Sequence, residues 1–340
     1  MTAISNSTLP AAEHPFAQYV RILGKGKRGA RNLTREEAAQ AMGMLLDGKV
    51  EQTQLGAFLM LLRHKEESAE ELAGFAQAVR DRLKAPALKV DLDWPTYAGK
   101  KRHLPWFLLA VKALARSGVR VLMHGAGAHT AGRLYSEALL ASLDIPCCQD
   151  WRQVEQSLMQ RNLAFMPLHC WMPELQKMID LRNILGLRSP VHSLARILNP
   201  LRATCGLQSI FHPGYQAVHR DASALLGDRV IVIKGEGGEI EINPDSPCRL
   251  LGTGAEGNWE EDWPAQSVLR HVKPAQLQPD WLLAVWLGHA VDDYGAQAIT
   301  GTIALALRGL GTPRETAIEK ARQIWADRLG PSGAGSTFPG

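Results

Sequence analysis

The pattern of this 340-residue chain changes once, and that change limits what it can fold into. Up to about residue 85, apolar residues recur at helical spacing between capping signals. Beyond residue 95, short apolar runs alternate with helical stretches. A helical unit followed by strand–helix alternation implies a small all-α domain on an α/β domain with a mostly parallel central sheet flanked by helices. In the first part, Thr34-Arg35-Glu36-Glu37 and Ser68-Ala69-Glu70-Glu71 are capping boxes. In each, the hydroxyl accepts from a first-turn N–H and the second glutamate reaches back. Gly24, Gly26 and Gly29 interrupt the first helical stretch and predict an exposed basic loop. The run Leu55-Gly56-Ala57-Phe58-Leu59-Met60 is too continuously apolar for a one-sided surface helix, so it is expected to pack on the rest of the chain or on a second subunit.

Residues 86–95 read as a linker. The expected α/β part then runs as a helix over 104–116 and a buried strand over 119–123 entering His124-Gly125-Ala126-Gly127. A helix over 135–143, a strand over 163–166, an amphipathic helix over 172–185 and a short helix over 193–198 follow. A hairpin has strands at 230–233 and 239–242 around Gly235-Glu236-Gly237-Gly238, and helices at 281–286 and 297–307 close the chain. The expected domains are a disordered tail at 1–14, a helical domain at 15–85, an α/β domain at 86–169 and 187–328, and a flexible tail at 329–340.

Composition removes several classes. An apolar share of 46% with 21% charged residues is that of a soluble globular protein, and no apolar run approaches the roughly 18 residues of a membrane span. The N-terminus lacks a signal-peptide layout. Five cysteines without a C-x-x-C pair argue against a disulfide framework and a thiolate metal site, and suit a reducing compartment. A cytoplasmic location is the expectation.

The net charge of +4 is modest, but its distribution is uneven. Residues 14–35 carry Arg21, Lys25, Lys27, Arg28, Arg31 and Arg35 with no acid. Residues 94–136 carry seven Lys/Arg with none, and residues 176–220 set six against Asp180 alone. The acids gather at residues 236–262. Such polarisation can give a nearly neutral protein a strongly positive face.

Within the second run, Tyr97-Ala98-Gly99-Lys100-Lys101-Arg102-His103 lies between a strand-like lead-in and an apolar helix, where α/β proteins hold phosphate. One glycine followed by basic side chains suits contact through side-chain charge rather than bare backbone. Other signals read as structural. His124 is expected as a hydrogen-bonder at the sheet's ligand edge. His169, Cys170 and His192 fit no metal-ligand spacing. Gly252-Thr253-Gly254 reads as a turn, and Glu239 and Glu241 as a solvated strand edge beside Glu236. Trp281 and Trp286 are expected to fill core. No nucleophile–base set and no acid–base carboxylate pair is visible.

Leu33-Thr34-Arg35-Glu36-Glu37-Ala38, His124-Gly125, Phe165-Met166-Pro167, Leu185-Gly186-Leu187-Arg188 and Asn199-Pro200-Leu201 resemble landmarks of the anthranilate phosphoribosyltransferase superfamily, with the glycosyltransferase family 3 fold, over about residues 16–325. The resemblance implies a helical domain completed by a returning segment at about 170–186, and dimerisation through the helices. The family's Gly-Thr-Gly-Gly-Asp pyrophosphate loop falls on Ala98-Gly99-Lys100-Lys101-Arg102, keeping only Gly99. Its Asn-x-Ser-Thr pattern is absent from residues 104–107. Its Lys-His-Gly-Asn motif becomes Met123-His124-Gly125-Ala126, and its magnesium-binding Asp-Glu becomes Gly238-Glu239. Gly99, His124 and Gly125 thus mark a former phosphate site. Tyr97-x-Gly99-x-Lys101, the basic N-terminal loop and His212-Pro213-x-Tyr215 resemble the YbiB-type branch, phosphoribosyltransferase-like proteins that bind DNA and RNA without sequence preference.

The sequence therefore points to a homodimeric, sequence-nonspecific DNA- or RNA-binding protein on a catalytically degraded phosphoribosyltransferase scaffold. No cofactor, catalytic residue or metal ligand is assigned. The expected phosphate contacts are Lys100, Lys101, Arg102, Lys25, Lys27 and Arg28, with Arg182, Arg188 and Arg202 as further candidates. The alternative is a transferase using phosphoribosyl pyrophosphate with an unknown acceptor.

Overall fold

The computed structural model describes residues 12–127, 130–212, 214–268 and 270–330. Most of the expected N-terminal tail, the stretch 331–340 and Pro213 of the His-Pro-x-Tyr motif lie outside the described residues.

Four helices open the chain: α1 (Ala17–Gly24), α2 (Arg35–Leu46), α3 (Gln52–Lys65) and α4 (Ala69–Arg82). Both capping boxes form, with Thr34 accepting from Glu37 N–H and Ser68 from Glu71 N–H. Glu71 is fully buried; its carboxylate also accepts from Leu33 N–H at 2.8 Å and pairs with Lys65 at 2.8 Å. One cap thus pins α4 to the loop ahead of α2.

The second domain is a seven-stranded sheet: β1 (Leu92–Thr96), β2 (Val121–Gly125), β3 (Leu163–Pro167), β4 (Cys205–Ser209), β5 (Val230–Ile233), β6 (Cys248–Gly254) and β7 (Gly257–Trp263). Their order is β3-β2-β1-β4-β5-β6-β7. The first five strands are mutually parallel, and β6 and β7 add an antiparallel hairpin at the edge. Helices α5 (Phe107–Arg116) and α6 (Trp151–Arg161) belong to the first crossovers. Four short helices follow β3: α7 (Leu168–Trp171), α8 (Pro173–Asp180), α9 (Arg182–Leu185) and α10 (Val191–Leu194). After β4 comes α11 (Gly214–Leu225), and α12 (Asp280–Trp286), α13 (Asp293–Gly309) and α14 (Arg314–Ala326) end the fold.

Two cores follow from this layering. On one sheet face, Trp94, Phe107, Leu109, Met123, Leu207 and Ile231 join apolar residues of α13 and α14. On the other, Leu122, Ala164 and Met166 share a cluster with Phe16, Phe58 and Phe75 of the helical domain and with Leu175, Met178 and Ile179 of α8. The segment after β3 thus returns to pack on the first helices. Buried Arg80 of α4 adds a polar tie, pairing with Asp228 and donating to the carbonyls of Ile197 (3.1 Å) and Leu198 (2.6 Å).

Several local expectations are corrected. The presumed linker contains β1, which lies in the middle of the sheet. Residues 239–242 are not a strand; Val230–Ile233 pairs instead with Cys248–Gly254, so Gly252-Thr253-Gly254 ends a strand. The helix expected over 135–143 shrinks to a 3-10 turn at Ser136–Leu139, and residues 172–185 split into α8 and α9. Trp286 is core, but Trp281 is 38% exposed. Among the described residues no helix is long and apolar enough to cross a membrane, and no group of three His, Cys, Asp or Glu is placed to hold a metal.

Candidate functional site

The sheet reverses its winding between β1 and β4, and in open α/β sheets the crevice beyond the strand ends at such a point is where ligands bind. The chain leaving β1 forms residues 97–103. Gly99 has φ +67°, and a Cβ there would come within about 3.1 Å of Arg133. Gly125, at the end of β2, lies so close to the Thr96 carbonyl that a Cβ would sit 2.3 Å from its oxygen. The position expected of a phosphate site therefore has a tight backbone.

Its side chains are turned inward. Lys100 is 1% exposed. Its backbone exchanges two 2.8 Å hydrogen bonds with Leu134, and its Nζ sits 2.6 Å from the Glu241 carboxylate and donates to the Glu236 carbonyl at 3.1 Å. Glu241 also accepts from Phe107 N–H at 2.8 Å, and Glu239 from the N–H groups of Ala98 (2.7 Å) and Gly99 (2.6 Å). Burial raises both carboxyls, Glu241 to about 7 despite its lysine partner. Neither glutamate is the solvated edge expected of it, because both close the loop on itself. Lys100 is withdrawn from the phosphate-contacting set, since its charge is spent on Glu241. His124 is fully buried, sharing a 2.8 Å hydrogen bond with the Tyr97 hydroxyl and lying 3.2 Å from Asp93.

Beside this closed knot lies a cleft of about 180 Å³ lined by Arg63, Arg133, Arg188 and Arg196, with Ser189, His192 and Tyr215. It lies between the end of α3 and the carboxyl ends of β1 and β4. Arg133 donates to the carbonyls of Ala98 (3.1 Å), Gly99 (2.9 Å) and Gly237 (3.2 Å), joining two loops. Arg196 donates to the carbonyls of Ser209 (3.1 Å) and His192 (3.3 Å), and Arg188 to the Thr130 hydroxyl at 3.2 Å. These partners are neutral. Among the described residues, the ion pairs use other cations, such as Arg31 with Glu37 and Arg80 with Asp228. Burial first, then the neighbouring Arg196 and Arg133 guanidiniums, pull Arg188 down to about 10. Burial also lowers Arg196, against the field of Glu239. The acid lining the cleft, Glu67, is pushed upward by its own burial, against the field of Arg63. Four cations crowded against a single acid in the lining make a ready anion site.

The remaining basic residues divide. Lys101 and Arg102 are exposed on the loop whose Ala98 lines the cleft. Lys25, Lys27 and Arg28 are exposed in the loop after α1, and none of them lines the cleft. Arg182 is half-buried on α9, and Arg202 faces Asp228 at 3.4 Å, which offsets its charge. Arg63, Arg133 and Arg196 were not singled out from sequence. The last two lie within the basic runs, Arg133 in one without acids and Arg196 in one with Asp180 alone; Arg63 has no such signal.

Residues 18–83 match the helical bundle domain of the glycosyl transferase family. The chain is 31% identical over 233 residues to the anthranilate phosphoribosyltransferase of Methylobacterium nodulans, covering 67% of this chain and 68% of that protein. The chain belongs to the anthranilate phosphoribosyltransferase family. Within this family it is also similar to the uncharacterized protein YbiB of Escherichia coli (strain K12), with 26% identity over 277 residues, 78% of this chain and 86% of YbiB. The anthranilate phosphoribosyltransferase of Thermus thermophilus shares the fold, with a TM-score of 0.75 at 22% identity over 93% of this chain and 96% of that one. The family scaffold is thus intact around a loop whose charges are internally closed and a cleft whose charges are not.

Proposed function

We propose that this chain binds nucleic acid, DNA or RNA, without sequence preference, through cations at the switch-point cleft and on the adjoining loop. The observation that carries this reading is the set Arg63, Arg133, Arg188 and Arg196, which lines one cleft, the last three hydrogen-bonded to neutral groups. A polyanion offsets such charge at low cost and releases its own counterions on binding. Lys101 and Arg102 extend the surface, and Lys25, Lys27 and Arg28 supply a second exposed basic patch. Backbone contacts of this kind position a strand without reading bases. A homodimer through the helical domain would set two such surfaces in one particle, and the free cysteines suit a cytoplasmic location.

The second reading is a phosphoribosyltransferase, favoured by family membership and by the cleft's position at the strand ends. The residues at the former pyrophosphate and magnesium positions do not fit those groups. Magnesium takes ionised carboxylates, whereas Glu239 and Glu241 are buried, shifted toward protonation and bonded to the loop, and Glu241 already holds the Lys100 ammonium. No reaction step is derived through them.

Two measurements separate the readings. Mobility shifts with single- and double-stranded oligonucleotides at about 50 mM salt should show complexes with both and no preference among sequences. Calorimetry with phosphoribosyl pyrophosphate and Mg²⁺ should show no tight, magnesium-dependent binding. The opposite pair of results would replace the first reading with the second.

A further inference from the structure

A second cavity, of about 710 Å³, opens at the His103 end of the loop whose Ala98 lines the arginine cleft. His103, Trp106, His271, Trp281 and Tyr294 line it, with Val272 and Val291 at its rim. Its aromatic content is ordered rather than scattered. The His103 and Tyr294 rings are stacked at 4.2 Å with 8° between their planes, and His271 meets Tyr294 edge-on at 5.5 Å. Trp281 stays 38% exposed, its indole N–H donating to Asp292 at 3.1 Å, while Val272 and Val291 are 94% and 82% exposed. The Tyr294 hydroxyl is buried and has no hydrogen-bond partner among the described residues. Burial and the acids around it hold that hydroxyl in its protonated form.

The charges around the cavity are separable. Asp292 is occupied by Trp281 and by Gly295 N–H at 2.7 Å, and Asp245 by His271 at 2.5 Å, which leaves Asp293 and Asp280, the latter next to Trp281, as exposed acids. Lys101, Arg102, Arg270 and Lys273 are exposed on the bordering segments. An apolar, aromatic cavity bordered by cations suits a planar heterocycle joined to an anion.

We infer that this cavity takes an unstacked nucleobase, with the exposed Trp281 indole as its stacking platform. This rests on the nucleic-acid reading and refines it. Bases inside a duplex stay stacked on one another, so only single strands, loops and ends can fill the cavity. Every base has a π-face, so stacking adds affinity without sequence preference.

Two arms test this. Trp281→Ala should weaken binding of single-stranded DNA or RNA by at least about fivefold, with duplex affinity unchanged and Trp281→Phe restoring most of the loss. Independently, the Trp281 indole N–H signal, assigned by its absence in Trp281→Phe, should move on addition of a nucleoside monophosphate and stay still with ribose 5-phosphate. Equal movement with both, no movement with either, or unchanged single-strand affinity in Trp281→Ala overturns the base pocket. If the signal moves with nucleotide but no oligonucleotide binds, the pocket stands for free nucleotides and the polymer reading fails. If oligonucleotides bind and the signal is still, the polymer reading stands and the pocket fails.

Discussion

Lys100 and the cleft arginines belong to neighbouring parts of one fold and solve the problem of buried charge in opposite ways. Lys100 has a carboxylate at 2.6 Å, and that carboxylate has a further donor in Phe107 N–H. Arg188 and Arg196 have a hydroxyl and carbonyls; burial weakens the hold of both on their protons, and the Arg133 guanidinium weakens it further. The first arrangement is complete without a ligand. The second leaves positive charge to be met from outside. A basic residue near an ancestral phosphate site therefore says little about binding until its internal partners are known.

The largest expected effect breaks the closed half. Lys100→Met leaves Glu241 buried without its counter-charge, a change that costs about 3–5 kcal/mol. Glu241 already titrates near 7, and losing its cation favours protonation further, so the loss should be greatest at about pH 8 and shrink as pH falls. Adding Glu241→Gln should recover most of it. Urea melts of the three proteins at two pH values check this, and full stability in Lys100→Met would mean that the pair contributes nothing.

A smaller effect tests burial of a base beside a neutral partner. His219 is fully buried against Gln208 at 2.9 Å, and burial pulls its pKa down to about 3. The unfolded chain takes up that proton near pH 6.5, so its contribution is complete above about 6.5. It falls by about 1.4 kcal/mol per pH unit as pH drops toward 3. Stability curves from about pH 7.5 to 5 should be flatter in His219→Gln; identical slopes would remove His219 as the source.

The smallest effect probes the open half. Arg188→Gln removes a cation that its neighbours repel, so unfolding stability should change by no more than about 0.5 kcal/mol, toward greater stability. A loss of several kcal/mol would show that the cleft arginines hold the fold rather than a ligand.

Much of the fold was legible because its signals are local. The capping boxes at Thr34 and Ser68 need only residues three apart, and the α/β alternation needs only short apolar runs. β1 was hidden by Pro95, because a residue without an N–H argues against a central strand. The sheet accommodates it because β1 pairs with β4 only through Leu92 and Asp93, so Pro95 lies beyond that ladder. Gly252 looked like part of a turn, yet it lies directly opposite Trp259, whose ring leaves no room for a Cβ. The site was less legible. Acid-free runs locate basic segments, but whether a lysine faces solvent or a glutamate some 140 residues away is decided by tertiary structure. Lys100 and Lys101 are adjacent and take opposite fates, and Arg63 and Arg196 meet only once the helical domain packs on the sheet.

The account is tested most directly by salt dependence. Fluorescence anisotropy with a random-sequence duplex between about 50 and 200 mM salt gives a log–log slope set by the number of phosphates neutralised. Replacing Lys101, Arg102 and Arg188 together by glutamine should weaken binding of every sequence alike and flatten the slope by about 2 to 3. A slope unchanged by those three substitutions would contradict the claim that the open cations of this fold are its nucleic-acid surface.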